Sequence, residues 1–305
     1  MTEVTLFDGL LAGALLLTAL RAFWAKGSFE AVFSLLFFGF FMAMAWMRLG
    51  AADIALVEAA IGAGLTAAIL MEVLRVSGSS SFTPYRLSGF WMLPVAALLG
   101  FLASAAFVGL PQDASTQGAY ALSLIALEGS PMGNPVTAVL LDYRGYDTLL
   151  EVGVLLLAAY GVSVLSGPIE DGFEQRRTML SFLSGHLAPI LALVSGYLLY
   201  QGMDAHGGAF QASALLAAAG VLFTLSGQER ARIEALRSRF GVMASGFVIF
   251  FGAGIYLAIT EGHFLAYHPQ TQTQLILLIE IALTFSLAYA LLVLYWRIAH
   301  SGEAR

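Results

Sequence analysis

Apolar residues fall into nine long runs along the chain, and short polar stretches separate one run from the next. Each run is close to the length of about 20 residues that an α-helix needs to cross a bilayer. The sequence therefore predicts an all-α fold, a polytopic bundle of nine transmembrane spans. They lie near residues 5–24, 31–48, 53–74, 88–110, 147–166, 179–200, 208–226, 241–260 and 273–297.

Composition and the start of the chain both favour a membrane protein. Apolar residues make up 59% of the chain and charged residues 11%, far below the roughly 25% charge of soluble domains, and the mean hydropathy is +0.83. The first run carries Asp8 and lacks a basic leader and a small-residue cleavage site, which favours a retained span over a signal peptide. We expect a multi-pass protein of the cell (inner) membrane. The net charge of −6 is spread thinly and indicates no nucleic-acid surface.

Lysines and arginines are distributed unequally between alternate loops, and the distribution predicts an orientation. Two of them, Arg48 and Arg144, fall on one side. The other side holds Arg21, Lys26, Arg75, Arg86, Arg176, Arg177, Arg230, Arg232, Arg237, Arg239, Arg297 and Arg305. Because cytoplasmic loops carry the positive charge, we predict an external N-terminus and a cytoplasmic C-terminus.

Cysteine is absent from the chain. Its absence excludes thiolate-bound iron–sulfur clusters, zinc bound through cysteine, and disulfides within this chain. We therefore expect no cofactor here, and any redox group would belong to a partner. There is also no Gly-x-Ser-x-Gly elbow, His-Glu-x-x-His motif or Gly-rich phosphate loop, so the sequence favours a transporter subunit over an intramembrane enzyme.

Three composition breaks predict the organisation of the chain. A Ser-rich run at 77–86 reads as a cytoplasmic link, and 111–135 is irregular, with a possible short helix at 119–127. A third break at 166–177 contains a Gly-Pro pair and changes from acidic to basic. The predicted units are helices one to four at 1–110, an external segment with the acidic fifth helix at 111–172, and helices six to nine at 173–305.

Acidic residues inside apolar spans are the candidate functional residues, since such residues are costly in lipid. In the third span, Glu58 and Glu72 are fourteen residues apart, so they share one face about 21 Å apart along the axis. They could mark two ends of a proton route, although Glu72 could instead pair with Arg75 at the interface. Gly62 and Gly64 permit close helix packing or a local π-bulge beside Glu58.

The fifth span begins with a second acidic group. Asp147 and Glu151 have i, i+4 spacing, and Asp142 lies on the preceding turn with Arg144. Two like charges at this spacing should raise one pKa, which suits a proton relay. Alternatively, Asp147 caps the helix while Arg144 neutralises its neighbour.

His186 and Glu280 are the candidates in the second half of the chain. His186 precedes Pro189, which should kink the sixth helix, and its imidazole could either shuttle protons or hydrogen-bond within the core. Glu280 lies within the ninth helix with no basic residue nearby in sequence, which makes it a functional candidate. Glu261, His263 and His268 are expected to be solvated loop residues rather than metal ligands.

Two segments resemble the C-terminal region of the A subunit of Mrp-type multisubunit sodium/proton antiporters. ADIALVEAAIGAGL, from Ala52 to Leu65, looks like its acid-bearing third helix. The stretch from Asn134 to Val162 resembles the pattern D-[FY]-R-G-[FY]-D-T-x-x-E, which is matched by Asp142, Arg144, Gly145, Asp147, Thr148 and Glu151.

A third segment is similar to the G-H-N-x-P-G-G-G-F-Q-G-G loop of the antiporter's B subunit. In GMDAHGGAFQAS the matching residues are Gly202, Gly207, Gly208, Phe210 and Gln211. The differing residues are Met203 for His, Asp204 for Asn, His206 for Pro, and Ala209 and Ala212 for glycines. The order of the matches resembles an A-subunit tail fused to a B subunit near 167–177. Related modules occur in membrane-bound hydrogenases and complex I.

The resemblance implies an ion-translocating module within a large assembly, but it does not identify the ion. We predict a membrane subunit of a monovalent cation (Na+)/proton antiporter, with Na+ and H+ as the ions and with large antiporter-like and small membrane subunits as partners. Our mechanistic hypothesis is that Glu58 and Glu151 belong to a buried relay, which Glu280 and His186 would extend through the B-like half. Hydrogenase-like, complex I-like and inorganic-carbon uptake assemblies remain alternatives. So does a non-conducting adapter, whose acids would be interface hydrogen-bond partners.

Overall fold

A computed structural model describes residues 5–77, 97, 100–101, 104, 127, 129–165, 178–226 and 240–300. Within these residues every long element is a helix, and eight helices are long and apolar enough to cross a membrane. They are α1 (Leu6–Trp24), α2 (Ser28–Arg48), α3 (Ala52–Arg75), α4 (Gly145–Leu165), α5 (Thr178–Gln201), α6 (Ala209–Ser226), α7 (Phe240–Thr260) and α8 (Gln272–His300). Eight of the nine predicted spans are thus confirmed.

The remaining predictions of organisation fall almost entirely outside the described residues. The predicted span at 88–110 does so apart from a few isolated helical positions. The Ser-rich link at 77–86, the short helix at 119–127 and the break at 166–177 also lie outside, apart from residues 77 and 127.

Helices α6 and α8 form the centre of the bundle. α6 packs against α5 and α8, and α8 also contacts α4 and α7. α8 is apolar around its whole circumference, as expected of a helix enclosed by others, and Ile276, Ile279, Leu283 and Leu287 are all buried. α1 and α2 pack against each other at the periphery, and large apolar side chains on both are exposed. These outer faces are therefore available to lipid or to other subunits.

Two segments adopt π-helical geometry. Within α3 the π segment is Glu58–Leu65, which contains the two glycines that allowed a π-bulge or close packing, and a second one, Ala138–Tyr143, precedes α4. Close packing accompanies the first, because a Cβ on Gly39 of α2 would lie 3.2 Å from the backbone of Ala63. Such irregular turns are frequent at functional sites. Pro189 lies inside α5, which remains helical on both sides of it.

The connections place the ends of several helices at one side of the bundle. Asp8, at the start of α1, accepts a 2.8 Å bond from Arg48 Nε at the end of α2. The α5–α6 loop contacts the start of α3, through Asp53, and residues just before α4. We call this side the loop side. Arg21, Lys26 and Arg75 lie at the other ends of α1, α2 and α3.

Candidate functional site at the α5–α6 loop

The loop Gly202–Gly208 connects α5 to α6 and can close only because three of its residues are glycines. The backbone N–H groups of Gly202 and Gly208 both donate to the Leu198 carbonyl, at 3.0 Å each. A Cβ on Gly202 would collide with the backbone of Gly208, and one on Gly207 would collide with the Leu198 carbonyl oxygen. Gly208 has a φ of +128°, which other residues rarely adopt. The GG pair of the predicted motif is therefore required by the backbone.

Two buried polar side chains from the segment before α4 hold this loop. Asn134 Nδ2 donates to the carbonyls of Ala205, at 2.7 Å, and Gly202, at 3.2 Å. The hydroxyl of Thr137 also donates to the Gly202 carbonyl. Since Asn134 Oδ1 accepts from the backbone N–H of Val136, the same side chain starts the short helix Pro135–Thr137.

Thr137 provides a direct test of this anchor. Thr137→Val keeps the shape of the side chain but removes a buried hydrogen bond to a carbonyl that still accepts from Asn134, so we expect the free energy of unfolding to fall by about 0.5–1.5 kcal/mol. Thermal unfolding of the purified chain in detergent would measure the change. The matched control is Thr260→Val, because that exposed hydroxyl bonds only within its own helix and its loss should have little effect. Equal unfolding temperatures for the two variants would contradict the anchoring role.

Asp53, in the first turn of α3, connects the loop to the first helices. Its side chain is 4% exposed. Oδ1 accepts from the backbone N–H of Gly207 at 2.7 Å, and Oδ2 lies 2.8 Å from Nδ1 of His206, whose side chain is 62% exposed. Gln211 Nε2 donates to the Asp53 carbonyl at 3.4 Å. One buried carboxylate thereby fixes α3 to the start of α6.

Glu280 approaches the same loop from α8. The residue is 3% exposed. The backbone N–H of Ala209 donates to its carboxylate, and Oε2 has no hydrogen-bond partner among the described residues. A Cβ on Gly208 would lie 3.3 Å from both Glu280 Oε1 and Gln211 Oε1, so the glycine leaves room for the two oxygens. A buried carboxylate with a free oxygen can hold a proton or a cation.

The other acids of α3 have different surroundings. Glu58 is half-buried at the start of the π segment, with its carboxylate folded against Gly62, and it makes no hydrogen bond with any described residue. Glu72 is buried and accepts a 2.7 Å bond from Arg75 Nε. The interface pairing considered for Glu72 is therefore present, which makes it a neutralised acid at the end opposite to the loop side.

The motif at the start of α4 builds a compact turn. Arg144, whose side chain is mostly exposed, forms an ion pair with the half-buried Asp147. The buried hydroxyl of Thr148 donates to the Leu140 carbonyl, across the π segment, and a Cβ on Gly145 would lie 3.0 Å from Leu265 Cδ1. These three contacts explain Arg144, Thr148 and Gly145 as structural residues.

Asp142, which is half-buried, lies near Tyr267 in the α7–α8 loop. Burial raises the pKa of Tyr267 above its usual range, and the charge of Asp142 adds to this effect. The Tyr267 hydroxyl has no hydrogen-bond partner among the described residues.

Glu151 and His186 both face outward from the bundle. Both residues are exposed, and in the described part of the chain no hydrogen bond or ion pair joins either one to another predicted acid. His186 Nδ1 lies 2.8 Å from the Phe182 carbonyl of its own helix. The described helices thus bring Glu280 and Asp53 to one loop, and they leave Glu151 and His186 at the surface of the bundle.

Sequence reasoning singled out neither Asp53 nor His206 for this site, and it used Asn134 only as part of a turn. An acid in a first turn is an ordinary helix-start residue, and His206 stood out only as a departure from the loop pattern. The available signal for Asn134 was its position immediately before Pro135, since an Asn followed by Pro is typical of a helix start. Among the described residues no group of three or more His, Asp or Glu side chains could hold a metal ion.

Comparisons with known families divide the chain in two. The sequence model of MbhD, the D subunit of MBH, matches residues 13–78, and that of a domain related to the MnhB subunit of Na+/H+ antiporter matches residues 179–297. This chain joins an MbhD domain to an MnhB-related domain. The resemblance to a fused Mrp-type module is confirmed. Asp53 belongs to the MbhD domain and the loop to the MnhB-related domain, so the Asp53–Gly207 bond connects the two.

A solved structure agrees with this assignment. A chain of the Mrp complex from Dietzia sp. DQ12-45-1b superposes with a TM-score of 0.78 at 23% identity, over 99% of the present chain. The match covers 36% of that chain, so this protein spans about a third of its length. A comparison with curated sequences finds no significant match. The multi-pass helical fold is therefore shared with a component of an Mrp assembly.

Proposed function

We propose that this chain is a membrane subunit of an Mrp-type Na+/H+ antiporter complex and that it contributes buried carboxylates to a proton or sodium path. The observation that carries the proposal is Glu280, a carboxylate buried in an apolar helix with one oxygen unpartnered among the described residues. Burying an uncompensated charge is expensive, so this group binds either a proton or a cation.

The second support is the position of Glu280 beside the bond between the two domains. Asp53 bonds to Gly207, and Gly208 lies against Glu280. Glu58 lies five residues after Asp53 in α3, at the start of the π segment. We infer that Glu58 and Glu280 serve one path, and that the two domains must stay joined at the loop for transport.

Orientation follows from the charge distribution. Because Arg21, Lys26 and Arg75 lie away from the loop side, we infer that the loop side is external, with the N-terminus outside and the C-terminus in the cytoplasm. The Glu280 site would then open toward the external surface.

Glu151 and His186 support membership of a larger assembly. Glu151 is six residues into α4, about 9 Å along the axis, and its side chain is exposed. A carboxylate facing hydrocarbon is disfavoured, so neighbouring subunits should cover the outer faces of α4 and α5 and receive Glu151 and His186, respectively, as links to their own path. Glu72 and Asp147 are each paired with an arginine, so we expect them to contribute less to the ion path.

The adapter function is a second candidate, because the Arg75–Glu72 and Arg144–Asp147 ion pairs show that part of the acids are structural. In that case Glu280 and Glu151 would act only as hydrogen-bond acceptors. Asparagine or glutamine at their positions would then preserve transport.

Sodium-dependent proton flux tests the proposal. Vesicles carrying the complete complex and a pH-sensitive dye would compare wild type with Glu151→Gln. We expect the variant to assemble normally but to lose coupled flux by about tenfold or more, as for loss of a proton-transferring group. The matched control is Glu261→Gln, an exposed residue beyond the end of α7. Undiminished flux in the Glu151 variant would remove it from the path, and absence of flux in wild type would favour the hydrogenase-like or carbon-uptake alternatives.

A further inference from the structure

A groove of about 490 Å³ lies where α1 ends and α2 begins, on the side away from the α5–α6 loop. It is lined by Leu17, Leu20, Arg21, Trp24, Lys26 and Glu30. Its volume falls in the range of about 300–1,000 Å³ that is typical of small-molecule sites. None of these residues takes part in the proposed ion path.

The rim of the groove is cationic. Arg21 Nη2 bonds Glu30 Oε1 at 2.7 Å, and the arginine side chain is 64% exposed, so most of its N–H donors remain available. Lys26 has no ion pair with any described residue. Two positive charges and one negative charge leave the rim with a net charge of +1.

The wall of the groove is apolar and faces outward. Leu17, Leu20 and Trp24 are spaced three and four residues apart, so they lie on one face of α1. They are 62%, 45% and 69% exposed, respectively. A tryptophan at the end of a transmembrane helix usually lies at the level of lipid headgroups.

We propose that this groove binds one anionic phospholipid. The lipid phosphate would contact Lys26 and the free N–H groups of Arg21, while an acyl chain would lie along Leu17 and Leu20. Charge complementarity selects this occupant, because the rim carries net positive charge beside an apolar wall that runs toward the membrane interior. A zwitterionic lipid would bring its own cation to the same rim and would bind more weakly.

Tryptophan quenching can test this site in the full chain reconstituted in liposomes. Phosphatidylglycerol with brominated acyl chains should quench fluorescence more strongly than brominated phosphatidylcholine, and Trp24→Phe should remove the difference. Lys26→Gln should weaken the selective quenching about fivefold, the factor expected for one basic residue at a lipid surface. Lys26→Arg should retain it.

The control is Arg144→Gln, which removes one exposed positive charge at the opposite side and should leave the selectivity intact. Gel filtration would show that each variant remains folded. Equal quenching by the two lipids in wild type would overturn the proposal, as would equal loss in the Arg144 and Lys26 variants. Loss of selective quenching when the complete complex is reconstituted would also overturn it, since another subunit would then fill the groove.

Discussion

Replacing Glu280 by glutamine should abolish sodium-dependent proton flux while the complex still assembles. Glutamine fills nearly the same volume and can still accept the Ala209 N–H, so α6 and α8 should keep their packing. It cannot carry a proton or a full negative charge, so the function of the free oxygen is lost. We expect flux to fall about 100-fold, the scale on which a positioned proton-transfer group acts.

Glu280→Asp is the matched variant, since it keeps the carboxyl group but withdraws it by one methylene. It should retain part of the flux. The sodium concentration that gives half-maximal flux should differ from that of wild type. Flux in reconstituted vesicles and the amount of assembled complex on native gels are the two measurements. Wild-type flux in the glutamine variant would leave Glu280 as a structural acceptor and favour the adapter.

The hydrophobic pattern predicted the described spans well because each one is set by a local property. A run of about 20 apolar residues has few alternatives in a bilayer, and eight predicted spans correspond to helices of the described structure. Gly62 and Gly64 left close packing and a π-bulge as alternatives, and the structure has both the π segment at Glu58–Leu65 and the close approach to α2.

The candidate site was less predictable because it depends on contacts between distant parts of the chain. Asp53 and Gly207 are separated by 154 residues, and neither spacing nor hydropathy relates them. Glu280 was recognisable because a lone acid inside an apolar helix is unusual.

The outward direction of Glu151 could not be read from the sequence. Its i, i+4 spacing from Asp147 gives a shared face of α4 but does not say whether that face is covered. The same holds for His186 on α5. Their importance therefore depends on subunits that surround this chain, whereas the importance of Glu280 can be argued from the chain itself.

Gly202→Ala should have the largest effect on folding, because the new Cβ would collide with backbone rather than with a movable side chain. It would meet the backbone of Gly208 and Gly207, and Gly202 is also the residue whose carbonyl accepts from Asn134 and Thr137. Relief of the collision would move the loop away from both Asp53 and Glu280. We expect a loss of about 3 kcal/mol in the free energy of unfolding, at the upper end of overpacking effects.

Gly196→Ala, in the helix that leads into this loop, provides the control. A Cβ at Gly196 has no atom within 4 Å, so this change should instead stabilise α5 by roughly 0.5–1 kcal/mol. Thermal unfolding of the two purified variants should therefore shift in opposite directions. Similar shifts would mean that the loop tolerates displacement. The proposal that the two domains must stay joined through Asp53 and Gly207 would then be wrong. Opposite shifts, together with loss of flux in Gly202→Ala, would show that transport depends on the native geometry of this loop.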